Sequence, residues 1–148
     1  MATTPTQIHQ LFTLPLTHNT DFTELADNCE RFVDALVECD EPATKLALCG
    51  RLSTCLALLQ PTLLEPIPRH LEENLTVEEP PARLPAFEPE VDQLGHYCQT
   101  LSQLLMSEVL IADAERVMQD LLFELVGYYA DTLKMPRWLR TEEGMIAL

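Results

Sequence analysis

The chain has 148 residues, enough for one globular domain, and 47% of them are hydrophobic, which argues against wholesale disorder. Twenty-four acidic side chains against nine basic ones leave a formal net charge of −15 at pH 7. A surface this acidic repels phosphate groups, so the composition argues against direct nucleic-acid binding and against docking on an anionic membrane, and favours a basic protein partner.

The N-terminal arm, residues 1–20, contains no aspartate, glutamate, lysine or arginine. Its apolar side chains are expected to pack on the domain or on a partner, with one helical turn at residues 5–12. The hexapeptide Gln7–Phe12 resembles the glutamine-led, Leu-Phe-ended peptides that dock on bacterial sliding clamps, although its spacing departs from the common form. Leu11 and Phe12 are therefore candidate partner-binding residues.

The first strong helix is predicted over residues 21–39. Asp21 and Glu24 form a capping-box-like start, and apolar residues follow at three- and four-residue intervals. The predicted inward stripe is Phe22, Leu25, Cys29, Phe32, Val33 and Leu36.

Acidic residues cluster in two blocks, 21–41 and 65–92, and the first block lies on this helix. Asp27, Asp34 and Glu38 occupy its polar face and are candidate residues for binding a basic partner. Acids three or four residues apart on a helix lie about 5–6 Å from each other, close to the repeat of phosphates along a nucleic-acid strand. One alternative is therefore a mimic of nucleic acid that blocks the basic groove of a nuclease or DNA-binding protein. The other is a face that is merely solvated.

The second helix, predicted over residues 42–60, is apolar nearly all round, with Lys45 and Arg51 as its charges. Such a helix belongs in the middle of a bundle or beneath a partner. Because glycine costs about 1 kcal/mol relative to alanine inside a helix, Gly50 suggests a close crossing with another helix.

A long Pro/Glu-rich connection is predicted over residues 61–89, which hold seven of the eleven prolines. Residues 63–74 have room for one or two short turns. Residues 78–89 are expected to be extended, because proline lacks an N–H donor and restricts the residue before it.

The third and fourth helices are predicted to start near Glu90 and Asp113, and the fourth ends near Lys134, just before Pro136. A single helix over both would be about 67 Å long, too long for one small domain. We therefore predict a break between Ser107 and Asp113.

The C-terminal tail, residues 135–148, contains the only tryptophan. Arg137, Trp138 and Arg140 are candidate partner-binding residues, because tryptophan and arginine dominate binding hot spots. Trp138 either packs into a pocket of the domain or, with the arginines, anchors a partner.

No sequence motif indicates catalysis. The chain lacks a Gly-rich phosphate loop and a nucleophile elbow, and its histidines and cysteines lack the spacing of zinc ligands. His96 and Cys98 come nearest, but two such positions lie on nearly opposite sides of a helix. The chain is therefore predicted to be no enzyme and to have no catalytic, metal-binding or cofactor-binding residues. A small metal-binding or thiol enzyme is the remaining alternative.

Compartment is predicted from what the sequence lacks. Five cysteines without paired spacing, no secretory signal and no run of 18 apolar residues predict a reducing, cytoplasmic location away from membranes.

Together the patterns predict an all-α, single-domain bundle of four main helices over residues 21–134. The predicted function is that of a non-enzymatic interaction protein of adaptor, inhibitor or immunity type. It would bind a protein partner, or a second copy of itself, through apolar surface framed by acidic patches.

Overall fold

A computed structural model describes residues 5–148. The prediction of an all-α fold is confirmed, since six helices, a single 3-10 turn and one small β-hairpin make up the regular structure of this part of the chain. The helices are α1 (Pro5–Thr13), α2 (Phe22–Glu38), α3 (Pro42–Thr62), α4 (Glu72–Leu75), α5 (Val91–Met106) and α6 (Ala112–Lys134), and the strands are β1 (Trp138–Thr141) and β2 (Gly144–Ala147).

The chain divides into two compact units, Met1–Pro80 and Pro81–Leu148. The boundary lies inside the connection predicted over 61–89. The four long helices are those predicted, but they pack mainly as two pairs, α2 with α3 and α5 with α6. This division is absent from the single bundle predicted over 21–134, because periodicity identifies an apolar face without identifying the helix that covers it.

In the first unit, acidic side chains cap both long helices. Asp21 Oδ1 accepts hydrogen bonds from the backbone N–H groups of Thr23 and Glu24, each at 3.0 Å, at the start of α2. The carboxylate of Glu41 does the same for the first turn of α3, where Pro42 occupies the first helical position. These contacts satisfy N–H groups that have no partner within the helix, and they explain why each helix begins where it does.

The core of the first unit is formed by side chains from α1, α2 and α3 together with Cys39. Its buried members are Leu11, Leu25, Phe32, Ala35, Cys39, Leu48 and Cys55. The predicted stripe of α2 is correct for Leu25 and Phe32 but wrong for Val33, which is exposed, while Asn28 and Ala35 are buried. The buried line therefore runs 25, 28, 32, 35, a helical three-and-four repeat that includes one polar residue.

The N-terminal arm packs on this core through α1, which is longer than the single predicted turn. Residues 1–4 of the arm lie outside the described residues. Arg51 donates hydrogen bonds from Nη2 to the carbonyl oxygens of Leu11 and Leu14, at the end of α1, and its guanidinium lies 5.8 Å from the centre of the Phe32 ring. A cation suits the carbonyl end of a helix, so Arg51 fixes the arm to α2 and α3.

In the second unit, α5 and α6 form an antiparallel hairpin with the predicted break at residues 107–111. A Cβ atom on Gly95, near the start of α5, would lie 3.1 Å from the hydroxyl oxygen of Tyr129, near the end of α6. At Gly50, by contrast, no described atom other than those of the neighbouring residues and of the helix's own backbone lies within 4 Å of the corresponding position. The close crossing predicted at Gly50 is therefore wrong, and the glycine that permits close helix approach is Gly95.

The C-terminal tail forms a β-hairpin that the sequence did not predict. Thr141 pairs with Gly144 across a loop of Glu142 and Glu143, and Gly144 has φ of +131°. Only glycine adopts that backbone conformation readily, but the Glu-Glu pair is not a typical turn signal. The connection contains the predicted short turns, a 3-10 turn at Arg69–Leu71 followed by α4, and residues 76–90 form no helix or strand, but α3 continues through Pro61 to Thr62.

Candidate partner-binding surfaces

An open groove of about 700 Å³ lies between α1 and α2 in the first unit. Leu11 and Ala35, both buried, lie at its base, and Val37 is exposed at its edge. Gln7, Gln10, Arg31, Asp34 and Glu38 supply the polar part of the lining. The groove therefore combines a small apolar base with a hydrogen-bonding and charged margin, the composition typical of a binding site.

The charged margin belongs to one side of α2. Asp27, Arg31, Asp34 and Glu38 follow each other at intervals of four, three and four residues, so they form a line along the helix. From Asp27 to Glu38 this line is about 16 Å long at 1.5 Å per residue. All four side chains are exposed, and α2 as a whole has five acids against this one arginine. The line is therefore an acidic margin that reaches beyond the groove toward the start of the helix.

Three of the eight predicted partner-binding residues, Leu11, Asp34 and Glu38, meet in this groove. Asp27 lies on the same side of α2 but outside the lining. Phe12 is partly buried and packs against the core, outside the groove lining, so its role in partner binding stays a prediction. The glutamines and Arg31 were missed as groove residues, because their role depends on α1 folding back on α2, which local sequence does not indicate.

A search of protein-family models finds no match to this chain, and searches of curated proteins and of solved structures find none either.

The tail residues form a second candidate surface, in the unit Pro81–Leu148. Trp138 is 60% exposed, so the interpretation that packs it into a pocket is wrong. Trp138 and Arg140 are two residues apart on β1, so they lie on the same face of the hairpin. Trp138 pairs with Ala147 on the neighbouring strand, and Arg140 pairs with Met145. Arg137 precedes β1, and its carbonyl oxygen accepts a hydrogen bond from the terminal Leu148 N–H at 2.9 Å.

A smaller cavity of about 180 Å³ lies at the start of α2, lined by His18, Asp21, Glu65 and His70 among others. His70 Nε2 lies 3.4 Å from Asp21 Oδ2. The hydroxyl of Thr23, the Glu24 N–H and His70 together hold the pKa of Asp21 at about 2, below its ordinary value of 3.8. The charged carboxylate therefore connects the start of α2 to the 3-10 turn of the connection.

Replacing Asp21 by alanine is expected to lower the free energy of unfolding by about 1 kcal/mol at neutral pH, because the N-cap is lost. The pKa of Asp21 is lower in the folded state, so its ionic contribution is full above about pH 4 and disappears as the pH falls toward 2. Urea unfolding at several pH values measures both effects. An asparagine at this position keeps a capping oxygen without charge, so Asp21→Asn should preserve more of the cap but flatten the acid dependence equally. An acid dependence unchanged in both variants would contradict the assignment.

A thiol or metal site would depend on the cysteine and histidine side chains. Burial, with neighbouring Cys29, raises the pKa of the Cys55 thiol to about 11, so this thiol stays protonated at neutral pH and lies 3.2 Å from the Leu25 carbonyl oxygen. His96 is exposed whereas Cys98 is buried. Within residues 5–148, no three His, Cys, Asp or Glu side chains are grouped so as to hold a metal ion.

In this same part of the chain, no helix combines the length and the apolar character that crossing a membrane requires.

Proposed function

We propose that this protein is a non-enzymatic interaction protein that binds a basic segment of a partner protein in the groove between α1 and α2. The observation that carries the proposal is the juxtaposition, in one groove, of buried Leu11 and Ala35 with the carboxylates of Asp34 and Glu38. Neither an apolar base nor an acidic margin alone would distinguish a binding site from ordinary surface.

The groove suits a ligand with an apolar anchor and cationic side chains on one side. The acidic margin spans about 16 Å, the length of three helical turns, so an amphipathic helix could place a lysine or arginine opposite each carboxylate. Burial of the anchor would supply affinity, while the charges would steer association and select basic partners. An adaptor, an inhibitor or an immunity-type protein would each use such a groove.

The test replaces Asp27, Asp34 and Glu38 together by lysine. Binding of a fluorescent synthetic amphipathic peptide of leucine and lysine is followed by fluorescence anisotropy at increasing salt concentrations. Because attraction becomes repulsion along the whole margin, affinity should fall by at least about tenfold near physiological ionic strength, and its dependence on salt should become shallower.

The matched control reverses Glu73, Glu78 and Glu79, which are exposed and lie outside the groove lining. It changes net charge by the same amount, so it should leave affinity within about threefold if the margin of α2 is the site. Equal losses in the two variants would mean that binding follows overall charge, and the groove would have no role. The same comparison should then be made with a partner captured from the native cell. Displacement of that partner by duplex DNA would favour the nucleic-acid mimic instead.

A further inference from the structure

The hairpin of α5 and α6 has almost no core of its own. Of the described residues in Pro81–Leu148, only Leu94 and Cys98 are buried, and none lies on α6. Helices in water are stabilised mainly by packing an amphipathic face, and the most buried apolar side chains of the 23-residue helix α6, among them Met118, Leu122 and Leu125, are only partly buried.

Some of the exposed or half-buried apolar side chains form a stripe on each helix, while Met106, Phe123, Val126 and Leu133 are exposed outside these stripes. On α5 the stripe is Tyr97, Leu101 and Leu104, and on α6 it is Val117, Leu121 and Tyr128, in both cases at helical spacing. Tyr97 and the three α6 residues are 39% to 58% exposed, while the two leucines of α5 are partly buried.

Both stripes lie on the same side of the hairpin. At 3.6 residues per turn, each is displaced by about a quarter turn, in the same rotational sense, from the line on its helix that faces the other helix. In an antiparallel pair, a two-fold axis perpendicular to the plane of the two helices superimposes one helix on the other. Stripes that are rotated by the same angle and in the same sense on the two helices therefore lie on the same side of that plane. The two stripes therefore form one apolar face, which we call the hairpin face. At its Tyr128 end the ring of Phe87 lies against the Tyr128 ring, with the ring centres 6.3 Å apart.

Charge decides which occupant fits the hairpin face. The sixteen residues of α5 include one charged side chain, Asp92, so a basic partner would find no carboxylates to pair with there. On α6 the acids Asp120, Glu124 and Asp131 lie just beyond the stripe, at the outer edge of the face. A second copy placed with its α5 over this α6 would bring an almost uncharged helix to that edge. Placing α6 over α6 would bring acids against acids.

The same arrangement satisfies helix packing. With α6 beside the α5 of a second copy, and the two-fold axis parallel to the helices, every neighbouring pair of helices is antiparallel, as in an up-down-up-down four-helix bundle. The face measures roughly 24 Å by 20 Å, or about 500 Å² per copy, from helix length and spacing. Doubling gives roughly 1,000 Å², at the lower end of specific interfaces, so we expect a weak dimer and take the micromolar range for its test.

We infer that the protein forms a homodimer by stacking two hairpin faces into an antiparallel four-helix bundle, with each α6 lying beside the α5 of the other copy. Leu121 then lies level with Leu101 and Leu104 of the second copy, near the middle of the interface.

Sedimentation equilibrium of the full chain, from about 1 to 200 µM, tests the inference over the range where a micromolar dimer dissociates. The wild type should fit a monomer–dimer equilibrium. Leu121→Glu should raise the dissociation constant by about 100-fold or more, because each dimer then buries two carboxylates in an apolar interface. Higher salt should tighten the dimer, since it screens repulsion between two acidic chains without weakening apolar contacts.

Phe123→Glu is the matched control, because Phe123 is 82% exposed on α6 and lies outside both stripes. It makes the same change on the same helix and should alter the dissociation constant by less than about twofold. Should Leu121→Glu lose helicity by circular dichroism, Val117→Glu replaces it, since Val117 is more than half exposed in the single chain. A wild type that stays monomeric over the whole range would overturn the inference. The inference would also be overturned if Leu121→Glu or Val117→Glu weakened the dimer no more than Phe123→Glu does.

Discussion

Replacing Phe32 by alanine is expected to lower the free energy of unfolding by about 3–5 kcal/mol, the usual cost of emptying a buried aromatic site. Phe32 is fully buried on α2, where it contacts the core shared by α1, α2 and α3. The substitution would also remove the ring beneath Arg51, whose Nε is buried without a hydrogen-bond partner in the described structure. Urea and thermal unfolding followed by far-ultraviolet circular dichroism measure the loss.

Val33→Ala is the control for this prediction, because Val33 is the next residue on α2 but is exposed. It should cost less than about 1 kcal/mol, as surface substitutions usually do. Comparable losses at the two positions would show that α2 is rotated from the orientation described above. The α2 residues that line the groove would then need to be reassigned.

Phe32→Ala should also weaken peptide binding in the groove, although Phe32 does not line it. Arg51 holds the carbonyl end of α1, and α1 provides Gln7, Gln10 and Leu11 to the groove. A guanidinium that loses its packing against the ring holds those carbonyls less firmly. Weakened peptide binding by Phe32→Ala, under conditions where the variant remains folded, would therefore show that the groove depends on the position of the arm.

Local patterns were sufficient for much of the fold. The capping carboxylate of Asp21 and the apolar repeat through Leu25 and Phe32 place α2 correctly, and helix length alone required the break after Met106. These features depend on residues close together in sequence, where spacing and hydrogen-bond chemistry act directly.

Features that depend on distant contacts were not predictable in the same way. Whether a glycine lies at a helix crossing depends on the opposing side chain, so Gly95 and Gly50 could not be distinguished without the position of Tyr129. The groove likewise requires α1 to fold back on α2 across more than twenty residues. Charge identified Asp34 and Glu38 as candidates, but nothing in the local sequence indicated that Leu11 lies beside them.

The two proposals predict opposite responses to salt. Peptide binding in the groove should weaken as salt screens the carboxylates of α2, whereas association through the hairpin face should strengthen. Each proposal can therefore fail without the other. If both hold, one dimer has two acidic grooves, and a partner with two basic segments would bind with an effective concentration set by their spacing.

Replacing Leu94 by alanine is expected to destabilise the α5–α6 hairpin by about 2–5 kcal/mol, the range for a fully buried leucine. Leu94 and Cys98 are the buried side chains among the described residues of this unit, so the remaining packing cannot compensate. Hydrogen exchange of the amides in α5 and α6 localises the loss. Met106→Ala removes an exposed side chain from the same helix and should change exchange little.

The Leu94 variant also connects stability to association. Because a dimer binds only the folded hairpin, raising the protein concentration should restore part of the lost protection by mass action. The restoration should be absent when Leu121→Glu is added, since the second substitution removes the interface without touching the Leu94 site. If hydrogen-exchange protection rises with concentration in the double variant, the stabilising contact lies somewhere other than the hairpin face. If protection in Leu94→Ala itself does not depend on concentration, α6 is stable without a partner.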